Sequence, residues 1–155
     1  LTATYLNHPL LCMGYRLNWR GRSVCTAFDT EPFRNLFITD PAHPDYDEAM
    51  ACEGQLVAEE QNRIAEQFFA GADLLIHDAQ YTEQEYAGKI GWGHSTYEQA
   101  LAAAGRAGVK RLALFHHDPD RTDDQLDALA ETYCRPGAYG DMEVFFAREG
   151  LEIDL

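Results

Sequence analysis

The sequence has 155 residues, of which 46% are hydrophobic and 25% are charged. This is the composition of one globular domain, and it excludes a disordered or collagen-like chain. No apolar run approaches the ~20 residues needed to cross a bilayer, and the first residues lack the pattern of a signal peptide. We therefore expect a soluble protein with no membrane partner.

The net charge is −14, from 26 acidic and 12 basic residues. This balance argues against a broad nucleic-acid surface, and an anionic ligand would need a local positive centre such as a divalent metal ion. The 4 cysteines show no CxxC spacing. We therefore expect reduced thiols in a cytoplasmic protein rather than a zinc knuckle or a disulfide framework.

The first half of the chain predicts a hairpin, a loop and a long helix. In GYRLNWRGRSVCTAFDT, two extended runs flank residues 19–22, where Gly21 permits a tight turn. The segment TDPAHPDYDEA has the prolines and acidic residues of an exposed loop. The helical spacing of apolar residues then predicts an amphipathic helix over 47–70.

The second half alternates between strands and helices. ADLLIHDA and RLALFHHD are short apolar runs that predict buried strands. Ser95 with Glu98, and Thr122 with Gln125, predict capping boxes for the two helices that follow. MEVFFAREGLEIDL is predicted to form a closing hairpin or an edge pair. The alternation predicts a layered α/β (α+β) fold with helices covering a sheet.

Three apolar runs are followed by side chains that could bind a metal. VCTAF precedes Asp29, LLI precedes His77 and Asp78, and RLALF precedes His116 and His117. In α/β sheets the ligand crevice lies at the carboxyl ends of the strands. Histidine and aspartate are suitable ligands of a divalent ion at neutral pH, although each of these residues could instead be a hydrogen-bonded structural residue.

Five motifs occur in order between residues 8 and 120: LNHPLLCMGYRL, GRSVCTAFDTEP, ADLLIHDAQYT, GWGHST and KRLALFHHDP. Together they resemble the second half of the metallo-β-lactamase superfamily, closest to its phosphodiesterase and ribonuclease Z branch. The resemblance implies a partial domain over residues 1–155, the second half of an αββα sandwich. It also implies two divalent metal ions, with zinc expected first and manganese or iron as alternatives.

The resemblance assigns roles to five residues. His8, Asp29 and His116 match metal ligands, and Asp29 matches the carboxylate that bridges two metals. His94 matches a proton donor or charge stabiliser beside the scissile phosphate, and Asp78 matches the acidic residue that orients it. The implied function is hydrolysis of phosphodiester bonds by an activated water, on a small-molecule or nucleotide substrate. The alternative for His94 is a structural position before a helix cap.

The sequence departs from the family in one respect, since the HxHxDH motif of the family's first half does not occur. We therefore expect further sequence upstream, and we expect this chain alone to bind metal poorly. The alternatives are a non-catalytic scaffold or sensor domain with a degraded metal site, another ester or a lactam-like substrate, and a half-domain that forms a homodimer over an exposed sheet edge.

The other histidines are not expected to be ligands. His77 is expected in a structural position between the sheet and a helix, and His117 on the side opposite His116, behind the ligands. His43 is expected in solvent, with a loop that overhangs the site as the alternative. The core is the preferred location for Tyr81, Tyr86 and Trp92, with stacking on a substrate as the alternative.

Overall fold

Six strands form one sheet, in chain order, in a computed structural model that describes residues 1–155. They are β1 (Thr2–Leu6), β2 (Cys12–Trp19), β3 (Arg22–Ala27), β4 (Leu74–Asp78), β5 (Arg111–Phe115) and β6 (Glu143–Phe146). The first three are antiparallel, and β3 to β6 are parallel. The helices α1 (Glu48–Phe69), α2 (Glu83–Tyr86), α3 (Tyr97–Ala107) and α4 (Asp123–Tyr133) occupy the crossovers that parallel strands require.

The predicted hairpin is confirmed. Arg20 and Gly21 both have positive φ, 49° and 78°, as a two-residue type I′ turn requires. The closing hairpin is wrong, because β6 is a single strand that pairs with β5 in parallel. Val144 on β6 joins the apolar core, and burial of such residues fixes the register of a strand. The first strand, β1, was not among the predicted elements.

The helix boundaries follow capping chemistry. Asp47 accepts a hydrogen bond from the Met50 amide at 3.0 Å and caps the start of α1, and Ala70 caps its end, so the predicted span 47–70 is the helix with its two caps. The capping box of Thr122 and Gln125 at the start of α4 is also confirmed. Both elements were predictable because their caps are local in sequence.

The predicted cap of α3 is wrong by one residue. Thr96 and Gln99 form the capping box, and Ser95 does not. Ser95 is fully buried, and its hydroxyl donates to the Thr30 carbonyl at 2.6 Å. Its side chain therefore connects two loops and is not available to cap the helix.

The two faces of the sheet differ. On the face that packs against the helices, Cys25, Leu75, Leu112 and Leu114 are all 0% exposed. The opposite face carries exposed apolar side chains, such as Leu17 at 51%, which leaves an uncovered apolar surface.

No helix of the chain combines the length and the hydropathy needed to cross a bilayer.

The parallel part of the sheet determines where the site lies. Strands β3, β4 and β5 are neighbours, and their pairing aligns Ala27 with His77 and Asp78 with Phe115. All three strands therefore end at the same edge, where β3 leads to Asp29 and β5 leads to His116.

Candidate metal centre

Four side chains converge at this edge. The ligand atoms of Asp29, Asp78, His94 and His116 all lie within 4.8 Å of one another. Asp78 is the last residue of β4, Asp29 follows β3, His116 follows β5, and His94 lies in the loop before α3. The expectation that the strand ends converge is therefore confirmed. These residues are far apart in sequence and come together because β3, β4 and β5 pair in parallel and end at one edge.

His116 has an unusual backbone. Its φ is +60°, in the left-handed region that non-glycine residues rarely adopt, at a cost of about 1–3 kcal/mol. Its Nε2 lies 3.7 Å from Asp29 Oδ1, and its Nδ1 lies 3.7 Å from Asp78 Oδ2. Nδ1 is buried and has no hydrogen-bond partner. Strain and an unpartnered buried nitrogen are both typical of a binding site.

His94 and Asp78 form the tightest contact of the cluster, with His94 Nδ1 2.7 Å from Asp78 Oδ2. The Asp78 side chain is 0% exposed and also accepts the amides of Thr30 at 3.1 Å and Ser95 at 3.3 Å. These bonds fix the carboxylate. The carboxylate favours the tautomer of His94 with the proton on Nδ1, which leaves Nε2 directed away from Asp78.

His8 lies at the border of the cluster and not within the group of four. Its ring is edge-on to that of His94, with 5.5 Å between the ring centroids. His8 Nδ1 accepts a hydrogen bond from the Leu10 amide at 3.1 Å and lies 3.2 Å from the Leu10 carbonyl oxygen. The assignment of His8 as a ligand stays a prediction.

The histidines differ in their electrostatics. The nearby Asp78 carboxylate raises the pKa of His116, burial opposes this, and the charge of Asp29 adds to the increase. Burial instead lowers the pKa of His77 and of His117. The site histidine therefore lies in a negative environment that would also attract a cation, whereas the other two are held neutral.

Three further histidines lie outside the group of four, and none of them was expected to be a ligand. The His77 ring packs on the helix side against Phe69, with 6.0 Å between centroids. His117 stacks on Phe146 at 4.7 Å, outside the cluster. His43 is exposed in the loop before α1. Alternation along β4 predicted the direction of His77, whereas His117 lies beyond the end of β5 and follows the left-handed His116.

The aromatic residues are not all in the core. Tyr81 is 4% exposed, as expected, but Trp92 is 55% exposed. The Lys89 ammonium lies 3.9 Å from the centroid of the Trp92 ring. The core assignment of Trp92 is wrong because the loop that contains it turns its side chain outward and pairs it with a cation.

Glu31 was missed by the sequence reasoning. It is 3% exposed and accepts hydrogen bonds from the loop that precedes His94. The one available signal was its place two residues after Asp29 and directly before Pro32. An acidic residue in such a loop is usually solvated, so its burial could not be predicted from this position.

The cluster fits a divalent metal. It combines two carboxylates and two imidazoles, a donor set that suits zinc, manganese or iron. The unpartnered nitrogen of His116 supports the same conclusion.

Known proteins with similar sequences or structures extend this description. No protein-family model matches the chain. Ribonuclease Z from Gemmatimonas aurantiaca is 32% identical over 126 residues, which cover 79% of this chain and 32% of that protein. The metallo-β-lactamase fold protein YhfI from Bacillus subtilis superposes with a TM-score of 0.60 at 20% identity, over 97% of this chain and 47% of that one. For the short form of human tRNase Z the TM-score is 0.59 at 19% identity, over 98% and 41%.

The solved structures show that the chain has a metallo-β-lactamase fold, as its motifs predicted. In sequence the chain is similar to the ribonuclease Z-like branch of proteins with this fold, since relatives of that name match most of its length. The chain spans less than half the length of these curated relatives, at 32% and 43%.

The prediction of a small-molecule or nucleotide substrate without a broad nucleic-acid surface is wrong. The relatives are named ribonuclease Z and tRNase Z, which denotes a nucleic-acid substrate. Net charge is a sum over a chain and does not determine the potential at one place. Here Lys89 lies beside the loop of His94, and Arg34 Nη2 would be 3.1 Å from a Cβ on Gly91. Two cations therefore lie against the loop that leads to His94, in a chain that is acidic as a whole.

Proposed function

We propose that the protein is a metal-dependent hydrolase of phosphodiester bonds in RNA that uses two divalent metal ions and an activated water. The observation that carries this proposal is the convergence of Asp29, Asp78, His94 and His116 within 4.8 Å. The relatives named ribonuclease Z supply the substrate class. The ions are zinc, with manganese or iron as alternatives, and this chain contributes part of their ligands.

His8, Asp29 and His116 are the proposed ligands. The Asp29 side chain is 41% exposed and can offer both carboxylate oxygens, so it is suited to bridge two ions. When bound, the ions would lower the pKa of a coordinated water and neutralise charge on the phosphate. The uncompensated carboxylates of Asp29 and Asp78 provide the attraction for the cations.

His94 is proposed to protonate the leaving oxygen. In the imidazolium form, Nδ1–H donates to Asp78 and Nε2–H is free to donate to the substrate. Asp78 orients the ring and stabilises its positive charge, so it acts as a positioning residue. The His94 side chain is only 15% exposed, which limits competition from bulk water.

The test measures metal content and hydrolysis with the full-length protein. Its substrates are a chromogenic phosphodiester and an RNA. His116→Ala is expected to lose both bound metal and activity, because a ligand is removed. His94→Ala is expected to retain metal while kcat falls by about 10²- to 10⁴-fold, the contribution of a general acid. His43→Ala, which changes an exposed histidine in a loop, is the matched control and should behave as wild type.

Two outcomes contradict the proposal. Activity that survives His116→Ala would remove His116 from the reaction. A wild-type protein that is stable, binds no zinc, manganese or iron and hydrolyses neither substrate would favour a scaffold or sensor domain.

A further inference from the structure

Glu31 connects three segments that surround the candidate metal centre. It lies in the loop after β3 that also contains Asp29. Its backbone amide donates to the Asn7 carbonyl at 2.8 Å, beside His8. Its carboxylate accepts the amides of Gly91 and Gly93. One buried residue therefore touches the backbone of each loop that carries His8, Asp29 or His94.

The loop of His94 relies on this carboxylate. Residues 88–95 contain no helix or strand. The Gly91 amide lies 2.8 and 3.0 Å from the two Glu31 oxygens, and the Gly93 amide lies 3.0 Å from Oε2. A buried backbone amide needs a hydrogen-bond acceptor. In helices and strands this acceptor is a backbone carbonyl, whereas in this loop it is the Glu31 side chain.

Tyr86 completes the set of donors. Its hydroxyl donates to Glu31 Oε1. Burial and the neighbouring Glu31 raise the pKa of Tyr86 to about 12, so the hydroxyl keeps its proton at physiological pH. No arginine or lysine forms an ion pair with Glu31. The hydrogen-bond donors to this carboxylate therefore all come from residues 86–93.

The loop and His8 pack too closely to move independently. Gly93 has φ of +92°, and a Cβ there would lie 2.2 Å from His8 Cδ2. Only the absence of a side chain permits this approach. A shift of Gly93 would therefore displace His8 as well as His94, the next residue.

We infer that Glu31 is a positioning residue, which holds the Gly91–Gly93 backbone so that His94 meets Asp78 and His8 stays beside it. This inference rests on the proposed function for its kinetic consequence. Its structural part concerns the contact between His94 Nδ1 and Asp78 and can be measured without turnover. Misplacement of a reacting group by about 1 Å lowers a rate by about 100-fold.

The experiment compares Glu31→Ala and Glu31→Gln with the wild-type full-length protein. In Glu31→Gln, an amide donor replaces one oxygen and faces the glycine amides. We expect kcat to fall by about 10- to 100-fold in both variants, with KM unchanged within about twofold. Glu66→Gln is the matched control, because that partly buried carboxylate pairs with Arg106 and accepts no hydrogen bond from the loop of His94.

The second measurement is nuclear magnetic resonance of ¹⁵N-labelled histidine. A short bond from Nδ1–H to a carboxylate moves the proton signal strongly downfield. We expect the His94 signal to weaken or shift in Glu31→Ala and Glu31→Gln but not in Glu66→Gln. Tyr86→Phe removes one donor and should give a smaller change, which decides the question if the other two variants fail to fold.

Unchanged signals in folded variants, with unchanged kcat, would overturn the inference. Equal losses of thermal stability in Glu31→Gln and Glu66→Gln, with no difference in the His94 signal, would show a merely structural carboxylate. If the wild type hydrolyses no phosphodiester, the proposed function fails, while the His94 signal still tests whether Glu31 holds the loop.

Discussion

Two buried aspartates lie at opposite ends of β4 and have contrasting surroundings. Asp73, just before the strand, accepts from Lys110 Nζ at 2.8 Å, from the Ser23 amide at 2.8 Å and from Arg22 Nη1 at 3.3 Å. Asp78, the last residue of the strand, accepts from backbone amides and from His94. The first carboxylate has permanent cations as partners, and the second has histidines that can change their charge.

The end of β4 at Asp73 therefore stabilises the fold, whereas the end at Asp78 carries the candidate site; we call the second the chemical end. Lysine and arginine stay protonated at physiological pH, so the charge of Asp73 is compensated permanently. The charge of Asp78 is compensated only when an imidazole is protonated or a cation binds nearby. The same residue type at the two ends of one strand can therefore stabilise the fold at one end and contribute to a candidate metal centre at the other.

The largest effect is expected for Asp78→Asn. The single amide oxygen can accept from only one of the two backbone amides, those of Thr30 and Ser95, and the charge that orients His94 is lost. We expect kcat of the full-length, metal-loaded protein to fall by about 10²- to 10⁴-fold on an RNA substrate. Steady-state kinetics measure this loss, and bound metal is determined in the same preparations.

Asp73→Asn is the control for that change, since it alters the same residue type at the other end of β4. Its kcat should stay within about twofold of wild type. Similar losses of kcat in both variants would mean that the two ends are not functionally distinct.

Local patterns in the sequence predicted much of the fold and of this chemical end. The cap at Asp47 and the type I′ turn at Gly21 depend on neighbouring residues only. Asp29 and His116 could be placed together because parallel strands end at one edge. These features needed no knowledge of packing between distant segments.

The parts that were missed depend on contacts between distant residues. Ser95 donates to Thr30, 65 residues away, so the cap of α3 moved to Thr96. Glu31 meets Gly91 across 60 residues, and no spacing rule connects them. The exposed position of Trp92 likewise follows from the course of its loop. Such contacts are properties of the assembled fold.

A smaller effect, on stability rather than turnover, is expected for Asp73→Asn. The substitution weakens charge-assisted hydrogen bonds to a side chain that is 9% exposed. The free energy of unfolding should fall by about 1–3 kcal/mol at pH 7, as measured by urea denaturation.

The pH dependence tests the cause of that loss. The hydrogen bond from Lys110, and then the Ser23 amide, hold the pKa of Asp73 well below its ordinary 3.8. This stabilisation is complete above the unfolded pKa and is lost as the pH falls through the folded one. The free energies of unfolding of the wild type and of Asp73→Asn should therefore become more similar below about pH 4. A difference that stays constant to low pH would exclude the charge of Asp73 as its source.

The smallest effect is expected for Arg22→Ala. The Arg22 side chain is 56% exposed, and Asp73 keeps Lys110 and Ser23 as partners when it is removed. The free energy of unfolding should fall by less than about 1 kcal/mol, as for exposed ion pairs, and by less still in about 1 M salt. A loss as large as that of Asp73→Asn would locate the stabilisation in the surface ion pair. The amino end of β4 would then depend on a salt-sensitive contact, and its contrast with the Asp78 end would disappear.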